Sequence, residues 1–405
     1  MPSLRLLAFL WEFVYIRTAF SEQSITLIRV PSPMDILKEI GKRNHEQVVY
    51  CADKESGLSA IIAIHNTALG PALGGARMWT YASDQEALID ALRLSRGMTY
   101  KAAVAGLNLG GGKAVILGDP NKDKTEALFR TYGRFVEGLG GRYITAEDVG
   151  TSVQDMEWVR METKYVTGID RALGGGGDPS PVTAVGVYHG IKACLQEVTG
   201  SDSLKGKQIA VQGAGHVSSF LCGFLAEEGA KLFISDLYEA KAKTLAEKTG
   251  GNFVEAERIY DVPADIFCPC ALGAIINDKT IPRLKVKIVA GGANNQLADE
   301  TKHGRMLIDR GILYAPDYAI NGGGLMSVAN ELEGYPRERA LKQAEGIYGT
   351  MTKIFDIAKQ QKIPPYEASN HLAEERIASI THIRNLYAGN SVYSGRMGDL
   401  DHAKG

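Results

Sequence analysis

The segment Met98-Thr-Tyr-Lys-Ala-Ala-Val-Ala-Gly-Leu-Asn-Leu-Gly-Gly-Gly-Lys-Ala-Val-Ile116 places two lysines, Lys101 and Lys113, on either side of an apolar run that ends in three glycines. The glycines before Lys113 leave no Cβ atoms around it, so a ligand can approach the backbone closely. Val115 and Ile116 predict a buried strand. The spacing alone allows two interpretations: a glycine turn with a solvated lysine, or a small electropositive pocket for a carboxylate in which one lysine acts as a base.

The composition narrows the class of protein. A chain of 405 residues exceeds one typical core, so we expect two domains. The formal net charge of -2 argues against a general nucleic-acid binder, which would carry a basic excess. The five cysteines are scattered without a CxxC pattern, so we expect neither a disulfide framework nor a metal site, and a reducing compartment such as the cytoplasm is the simpler interpretation.

Residues 1–33 differ from the rest of the chain. Leu4–Tyr15 is apolar apart from Arg5 and Glu12, and it is too short to span a bilayer as a helix, which needs about 20 apolar residues. Glu12 also interrupts the apolar core that a signal peptide requires. A helical pattern begins only at residues 35–41. We therefore expect residues 1–33 to be an extension outside the fold, and we expect no membrane partner.

The segments around the two lysines predict strands and helices. Gln47–Cys51 and Leu58–His65 are typical of two strands joined by a turn. Leu69–Arg77 is rich in glycine and proline and predicts a loop that ends in an arginine. Asp84–Gly97 and Asn121–Leu139 have helical spacing.

Two adjacent carboxylates, Glu147 and Asp148, end a short apolar strand. Because neighbouring side chains on a strand face opposite ways, one of them should face the site of the lysines. The alternative is structural, with Asp148 or Thr151 as the N-cap of a following helix.

A dinucleotide-binding pattern lies in the second half of the chain. Gln208–Ser219 predicts a strand, a tight turn and a helix, with Gly213, Gly215 and Ser218 at the fingerprint positions and serine where a third glycine usually stands. The first glycine allows the turn, and the second lets a pyrophosphate approach the helix N-terminus. Asp236 ends the next strand about 20 residues later, where an acid can accept from a ribose 2′-OH and repels a 2′-phosphate. We therefore expect NAD rather than NADP.

From about residue 45 to the C-terminal helices, the chain resembles the superfamily of glutamate, leucine, phenylalanine and valine dehydrogenases, most closely its leucine-specific members. The motifs that carry this resemblance are Pro71-Ala-Leu-Gly-Gly-Ala-Arg77, Met98-Thr-Tyr-Lys101, Gly110-Gly-Gly-Lys113 and Ala146-Glu-Asp-Val-Gly-Thr151. The family has alanine and asparagine where this chain has Gly322 and Ser327.

The resemblance implies an α/β fold with two domains and a cleft between them. Residues 34–172, together with about 365–405, would form an α/β domain for substrate binding and oligomerisation. Residues 173–364 would form a Rossmann-type NAD-binding domain with a connecting helix. Residues 337–388 predict two helices, separated at Pro364-Pro365, that cover the cleft and dock back on the first domain.

The resemblance also implies roles for individual residues. Lys101 would hold the substrate α-carboxylate, Lys113 would activate a water, and Asp148 would carry protons to and from the substrate nitrogen. A second cation in a closed cleft should lower the pKa of Lys113. The implied substrate contacts, besides Lys101, are Leu73, Gly74, Met98, Ala146, Leu325 and Val328. The implied cofactor contacts are Thr183, Gly213, Ala214, Gly215, His216, Val217, Asp236, Cys270, Ala271 and Asn294.

The expected substrate follows from Leu73 and Val328. The resemblance implies a lysine and a hydroxyl residue at these positions in glutamate dehydrogenases. A carboxylate beside Leu73 would lose its hydration without a counter-charge, whereas a branched apolar side chain would gain roughly 1.5–3 kcal/mol from burial. We therefore expect NAD-dependent oxidative deamination of L-leucine and other branched-chain amino acids to 2-oxo acids and ammonia, by a homo-oligomer. Two alternatives stay open. One is a phenylalanine or valine dehydrogenase, and the other is a non-catalytic paralogue that binds an amino acid or NAD.

Overall fold

The structure, a computed structural model, describes residues 35–271, 273–334 and 336–384. The predicted extension at residues 1–33 and the polar tail after Gly389 lie outside the described residues. Residues 35–44 form a separate small unit, whose helix is capped by the Asp35 side chain, which accepts from the backbone N–H of Lys38. No helix in the described ranges combines the length and the apolar character needed to cross a membrane.

The regular elements follow the chain in this order. The strands are β1 (Gln47–Asp53), β2 (Leu58–Asn66), β3 (Ala72–Trp79), β4 (Gly110–Leu117), β5 (Tyr143–Glu147), β6 (Gln208–Gln212), β7 (Lys231–Ser235), β8 (Asn252–Phe253), β9 (Ile266–Pro269), β10 (Ile288–Val289) and β11 (Leu313–Tyr314). The α-helices are α1 (Ile36–Lys42), α2 (Asp84–Val104), α3 (Glu126–Glu137), α4 (Val153–Arg160), α5 (Ser180–Thr199), α6 (His216–Glu227), α7 (Glu239–Thr249), α8 (Glu300–Asp309), α9 (Asp317–Ile320), α10 (Gly323–Glu331), α11 (Arg337–Glu345), α12 (Ile347–Gln361) and α13 (Pro365–Arg384).

The first sheet is mixed and has the order β1-β2-β4-β3-β5. Strands β1, β2 and β4 pair antiparallel, whereas β3 pairs parallel with both β4 and β5. The prediction of a loop at Leu69–Arg77 is wrong, because most of this segment belongs to β3. A Cβ at Gly74 would lie 1.8 Å from the carbonyl oxygen of Gly112, and one at Gly75 would lie 2.5 Å from that of Glu147. The glycines therefore reflect close strand packing rather than a turn.

Helix α2 runs further than the sequence predicted. Ser83 caps it by accepting from the N–H of Glu86, as expected, but the helix does not stop at Gly97. Gly97 is exposed and a Cβ there would meet open space, so this glycine neither breaks the helix nor serves a close contact. The helix continues to Val104, and Lys101 consequently lies in its last turn.

The three glycines before Lys113 lie within strand β4, not in a turn. A Cβ at Gly110 would lie 2.0 Å from the Asn66 carbonyl oxygen, and one at Gly111 would lie 2.1 Å from the Thr99 backbone nitrogen. At Gly112 it would meet the Tyr143 ring at 2.5 Å. The space that these glycines leave is filled by the protein itself. The expectation that they clear room for a ligand is therefore wrong. Gly111 lets helix α2 lie close to β4, while Gly110 and Gly112 allow close approach of Asn66 and Tyr143.

The second sheet is parallel throughout, with the order β11-β10-β9-β6-β7-β8. The predicted strand, turn and helix over residues 208–219 are confirmed as β6 and α6.

The described C-terminal part contains three helices instead of the two predicted, because the helix is interrupted at Gly346 as well as before Pro365. Helix α12 packs against α5, and α13 packs against α2. The α/β class with two sheet-centred domains is confirmed, while the domain boundaries stay a prediction.

The packing of β4 on α2 gives a testable expectation. Gly111→Ala should destabilise the protein by about 3 kcal/mol or more, because the added methyl collides with helix backbone, which cannot rotate away as a side chain can. The measurement is urea-induced unfolding. Gly97→Ala, on the exposed face of the same helix, is the matched control and should stabilise by about 0.5–1 kcal/mol. Equal stability of Gly111→Ala and the wild type would contradict the packing described.

Candidate active site

A cleft of about 950 Å³ collects side chains from both sheet-centred parts of the molecule. Strands β3, β4 and β5 and helix α2 contribute from the first part, while α5, α6, α10 and the segments after β9, β10 and β11 contribute from the second. Twelve of the predicted site residues line it, namely Leu73, Gly74, Met98, Lys101, Lys113, Ala146, Asp148, Thr183, Val217, Asn294, Leu325 and Val328.

Lys113 and Asp148 form an ion pair inside this cleft. The Lys113 ammonium donates to Oδ2 of Asp148, and Lys113 is only 5% exposed. The structural alternative for Asp148 and Thr151 is wrong, since Ser152 caps helix α4 in a capping box. Thr151 instead supports the loop of Asp148, because its hydroxyl accepts from the Asp148 N–H at 2.8 Å.

Burial lowers the pKa of both lysines. It lowers the pKa of Lys113, an effect that Asp148 opposes and Arg77 reinforces. Burial also lowers the pKa of Lys101 to about 8, with Asp317 acting in the opposite direction and Lys113 in the same direction. The expected fall in the pKa of Lys113 is present, but its main cause is desolvation rather than a neighbouring cation. Lys101 forms no ion pair with any described carboxylate, so its ammonium is available to a ligand.

Arg77 also lies in the site, although no role was predicted for it from the sequence. Its Nε donates to Asp148 at 3.1 Å and its Nη1 donates to Asp90 at 3.0 Å. The Tyr81 hydroxyl donates to the same oxygen of Asp90 at 2.8 Å. Burial alone would raise the pKa of Asp148, but Lys113 and Arg77 together hold that pKa below its usual range. Asp148 is therefore ionised at neutral pH.

Asp317 is a second residue that sequence reasoning missed. It follows strand β11 and accepts from the backbone N–H groups of Gln296, at 3.0 Å, and Tyr318, at 2.7 Å. Burial raises its pKa. An acid directly beyond the carboxyl end of a parallel strand was the available signal, because ligands in open α/β sheets bind at that edge.

Glu147 also lines the cleft, with Glu331 from α10. Burial raises the pKa of Glu147, and Glu331 and Asp178 add to the shift. The Glu331 carboxylate accepts from the Gly168 N–H at 2.8 Å. Asp148 contacts Lys113, whereas Glu147 lies near other acids. Because both residues line the cleft and strand β5 already ends at Glu147, the prediction that only one of them faces the site is wrong.

The turn between β6 and α6 has the features of a dinucleotide site. Gly213 has φ +106°, and a Cβ there would lie 2.9 Å from Ala271, so the position requires glycine. Gly215 precedes helix α6, where no side chain caps the free N–H groups and a Cβ would meet open space. Oδ2 of Asp236 accepts from the Ala214 N–H at 2.8 Å, so the acid lies beside the turn. These groups fit a bound pyrophosphate and ribose.

The remaining predicted cofactor residues fall into two groups. Thr183, Val217 and Asn294 lie in the cleft itself, where Asn294 accepts from the amide of Asn321 at 2.7 Å. The others surround the β6–α6 turn. His216 there is exposed and lies 3.4 Å from Asp178.

Cys268, Cys270 and the fingerprint serine pack against neighbouring protein groups, and the cofactor contact predicted for Cys270 stays a prediction. Cys270 accepts from the Gly292 N–H at 3.3 Å, and its sulfur lies 3.6 Å from that of Cys268, with both thiols free. Ser218 is fully buried on α6, as the third fingerprint position requires. Among the described residues, no group of three or more His, Cys, Asp or Glu side chains is arranged to hold a metal ion.

The electrostatics of Lys101 can be tested directly. Asp317→Asn should move the pKa of Lys101 below about 8, because it removes a carboxylate that favours the ammonium, whereas Lys113→Met should raise it by removing a cation. The measurement is the pH dependence of acetylation by acetic anhydride, followed for each lysine by mass spectrometry with the exposed Lys205 as internal reference. Shifts of the same sign in both variants would contradict the charge arrangement.

The comparisons with known proteins agree with this geometry. Residues 45–165 match the model of the Glu/Leu/Phe/Val dehydrogenase dimerisation domain, and residues 234–384 match that of Glutamate/Leucine/Phenylalanine/Valine dehydrogenase. The chain is 60% identical to leucine dehydrogenase of Thermoactinomyces intermedius, over 87% of this chain and 96% of that one. It is 50% identical to phenylalanine dehydrogenase of Lysinibacillus sphaericus, over 85% and 91%.

Among solved structures, L-tryptophan dehydrogenase from Nostoc punctiforme superposes with a TM-score of 0.78 at 47% identity, over 85% of this chain and 99% of that one. Similarity of this extent, together with the cleft and its lysines, confirms the prediction of an amino-acid dehydrogenase. The chain belongs to the Glu/Leu/Phe/Val dehydrogenase family.

Proposed function

We propose that this protein catalyses the NAD-dependent, reversible oxidative deamination of L-leucine and other branched-chain L-amino acids to 2-oxo acids and ammonia. One observation carries the proposal: in a single cleft, the Lys113–Asp148 pair and Lys101 lie with the apolar side chains of Leu73 and Val328. The 60% identity to a leucine dehydrogenase supports the same substrate.

The described residues divide the chemistry between them. When bound, the nicotinamide ring supplies the acceptor for the hydride that leaves Cα of the amino acid. Lys101, which has no carboxylate partner among the described residues, binds the substrate α-carboxylate. Lys113, whose pKa is lowered by burial, acts in its neutral amine form, in which it takes a proton from the water that attacks the oxidised carbon and becomes the ammonium. Asp148, whose pKa Lys113 and Arg77 hold low, accepts and returns a proton at nitrogen.

The apolar wall supports an aliphatic side chain. Leu73 is 1% exposed and Leu325 is 7% exposed. Glu331 lies one turn beyond Val328 on helix α10 and lines the same cleft. A substrate γ-carboxylate would lose hydration against Leu73 and would also face the charge of Glu331, so glutamate is doubly disfavoured. A leucine side chain would gain roughly 1.5–3 kcal/mol from the same burial.

The family implies a nicotinamide cofactor, and we propose that it is NAD. The Asp236 carboxylate already accepts from the Ala214 N–H, which fixes it beside the glycine turn. From there it can accept from a ribose 2′-OH and repels a 2′-phosphate.

Two further features belong to the proposal. A homo-oligomer is supported by the match of residues 45–165 to a dimerisation domain. A cytoplasmic location stays a prediction that rests on the free cysteines. Aromatic substrates are the second candidate, supported by the similarity to phenylalanine and tryptophan dehydrogenases.

The function is tested by following NADH formation with leucine, valine, phenylalanine, tryptophan and glutamate. We expect kcat/KM for leucine to exceed that for glutamate by about 10³-fold or more, because an unpaired buried carboxylate costs several kcal/mol. Valine should lie within about 200-fold of leucine, since one methylene contributes about 1–3 kcal/mol. A preference for glutamate would contradict the substrate assignment, and a preference for an aromatic substrate would favour the second candidate.

Lys113→Ala tests the catalytic role within the same assay. It should lower kcat by about 10²–10⁴-fold, the usual contribution of a general base, while cofactor binding measured by fluorescence stays unchanged. Lys122→Ala is the matched control, because Lys122 is a surface lysine whose ion pair is with Asp119. Substantial turnover by Lys113→Ala would remove Lys113 from the mechanism.

Asp236→Ser should relax the choice of cofactor. Removing the carboxylate removes both an acceptor for the ribose hydroxyl and the repulsion of a 2′-phosphate, so the NAD/NADP ratio of kcat/KM should fall by about tenfold or more. Glu247→Ser, an equal change of charge on the exposed side of α7, should leave the ratio as it is. An unchanged ratio in Asp236→Ser would show that another group selects the cofactor.

A further inference from the structure

The last described helix, α13, contacts the segment that connects the two lysines of the site. Arg376 on α13 donates to the carbonyl oxygen of Leu107 at 2.7 Å, to that of Gly106 at 3.1 Å and to that of Ala103 at 3.3 Å. It also donates to Oδ1 of Asn108 at 3.0 Å. One guanidinium thus binds four acceptors within six consecutive residues.

Those six residues comprise the last two of helix α2 and most of its connection to strand β4. Helix α2 ends at Val104, three residues after Lys101, and β4 begins at Gly110, three residues before Lys113. The last carbonyl groups of a helix have no partner within it, and they carry the negative end of the helix dipole. Arg376 therefore binds the end of the helix that carries one lysine and the start of the segment that leads to the other.

The chemistry of arginine fits this position better than that of lysine. A guanidinium offers five N–H donors in a rigid plane, which allows several carbonyl groups to be held in one fixed geometry. Arg376 forms no ion pair with a described carboxylate, and burial lowers its pKa. Its charge is balanced by carbonyl dipoles alone, so its contacts are directional and depend on the shape of the turn.

A second contact from α13 reaches the residue next to Lys101. The Tyr100 hydroxyl donates to Oε1 of Glu374 at 2.7 Å and accepts from Arg96 at 2.9 Å. The Arg96 guanidinium also lies 4.2 Å from the centroid of the Tyr100 ring. Tyr100 and Lys101 both line the cleft, so α13 fixes the last turn of α2 from two sides.

We propose that Arg376 is a positioning residue, which sets the distance between Lys101 and Lys113 by holding the backbone of residues 103–108. It acts through the backbone and does not touch the substrate. The proposal rests on the proposed function for its kinetic consequences, since it assumes that Lys101 binds the substrate carboxylate and Lys113 activates water.

The test compares Arg376→Lys and Arg376→Met with the wild type. Both variants should raise KM for leucine, by about tenfold for Arg376→Met and by less for Arg376→Lys, because an ammonium keeps the charge but cannot bind four acceptors. The dissociation constant of NADH, measured by fluorescence, should change by less than about twofold, since the acceptors of Arg376 lie in residues 103–108 and not in the β6–α6 turn. Addition of millimolar guanidinium should restore part of the leucine affinity of Arg376→Met, because the methionine side chain ends about where the guanidinium group of Arg376 begins.

A readout independent of turnover separates this proposal from the proposed function. In the acetylation experiment, the pH midpoint of Lys101 should rise from its pKa of about 8 towards the midpoint of exposed lysines when Arg376 is replaced. The reason is that water enters the opened turn and hydrates the ammonium. If the wild type does not oxidise leucine, the proposed function is wrong. The change in Lys101 acetylation between the wild type and the Arg376 variants still tests the positioning role in that case.

The control is Glu375→Gln, an exposed neighbour on α13 for which no side-chain contact is described. It should match the wild type in all measurements. If the Arg376 variants lower only the melting temperature, with KM, guanidinium rescue and the Lys101 profile unchanged well below that temperature, the residue merely stabilises the fold and the proposal is overturned. If Arg376→Met does not fold, Arg376→Lys decides by the same criteria.

Discussion

The close contact between helix α2 and strand β4 is the constraint on which the site depends. Thr99 and Gly111 touch through backbone and hydroxyl atoms, and each lies two residues before one of the lysines. Since residues two apart on a strand face the same side, Gly111 and Lys113 both face α2. A single contact thus fixes both ammonium groups, and any bulk inserted there would displace them together.

The removal of charged groups from water determines how the side chains of this site interact. The charged groups around Lys113 lie where charge is costly, and their signs alternate: Lys113, Asp148, Arg77 and Asp90 follow one another at hydrogen-bond distance. Lys101 is left outside this chain. A cation that is buried but unpaired binds an incoming carboxylate strongly, because the ligand replaces hydration that has already been lost.

Much of the site could be predicted from local sequence, for physical reasons that differ between residues. Lys101, Lys113 and Asp148 stand in motifs whose chemistry requires those residue types, and Gly213 and Asp236 have a fixed spacing along one strand–turn–helix–strand unit. Each of these signals is contained within a short segment. Local patterns therefore predicted the cofactor turn, whereas for Lys101, Lys113 and Asp148 they left alternatives, and the family resemblance implied the roles.

The rest required the three-dimensional structure. Gly74 and Gly111 resemble turn residues until the neighbouring backbone that excludes their Cβ atoms is known. Arg77 and Arg376 have no local signal strong enough to distinguish them from surface charges, since Asp148 and Leu107, which they contact, are distant in sequence. Helix α2 was predicted to end at Gly97 because the local sequence shows only helix propensity. Its continuation to Val104 depends on packing against parts of the chain that are distant in sequence.

The pairing of Arg376 with the end of α2 has a consequence for how the chain acquires its structure. Arg376 and Ala103 are 273 residues apart, so this contact closes a very large loop and adds to the contact order of the protein. On the ribosome, the first sheet and helix α2 emerge long before α13 is synthesised. Until then, the acceptors that Arg376 binds in residues 103–108 lack this hydrogen-bond partner. The separation of the two lysines is therefore among the last features of the molecule to become fixed as it folds during synthesis.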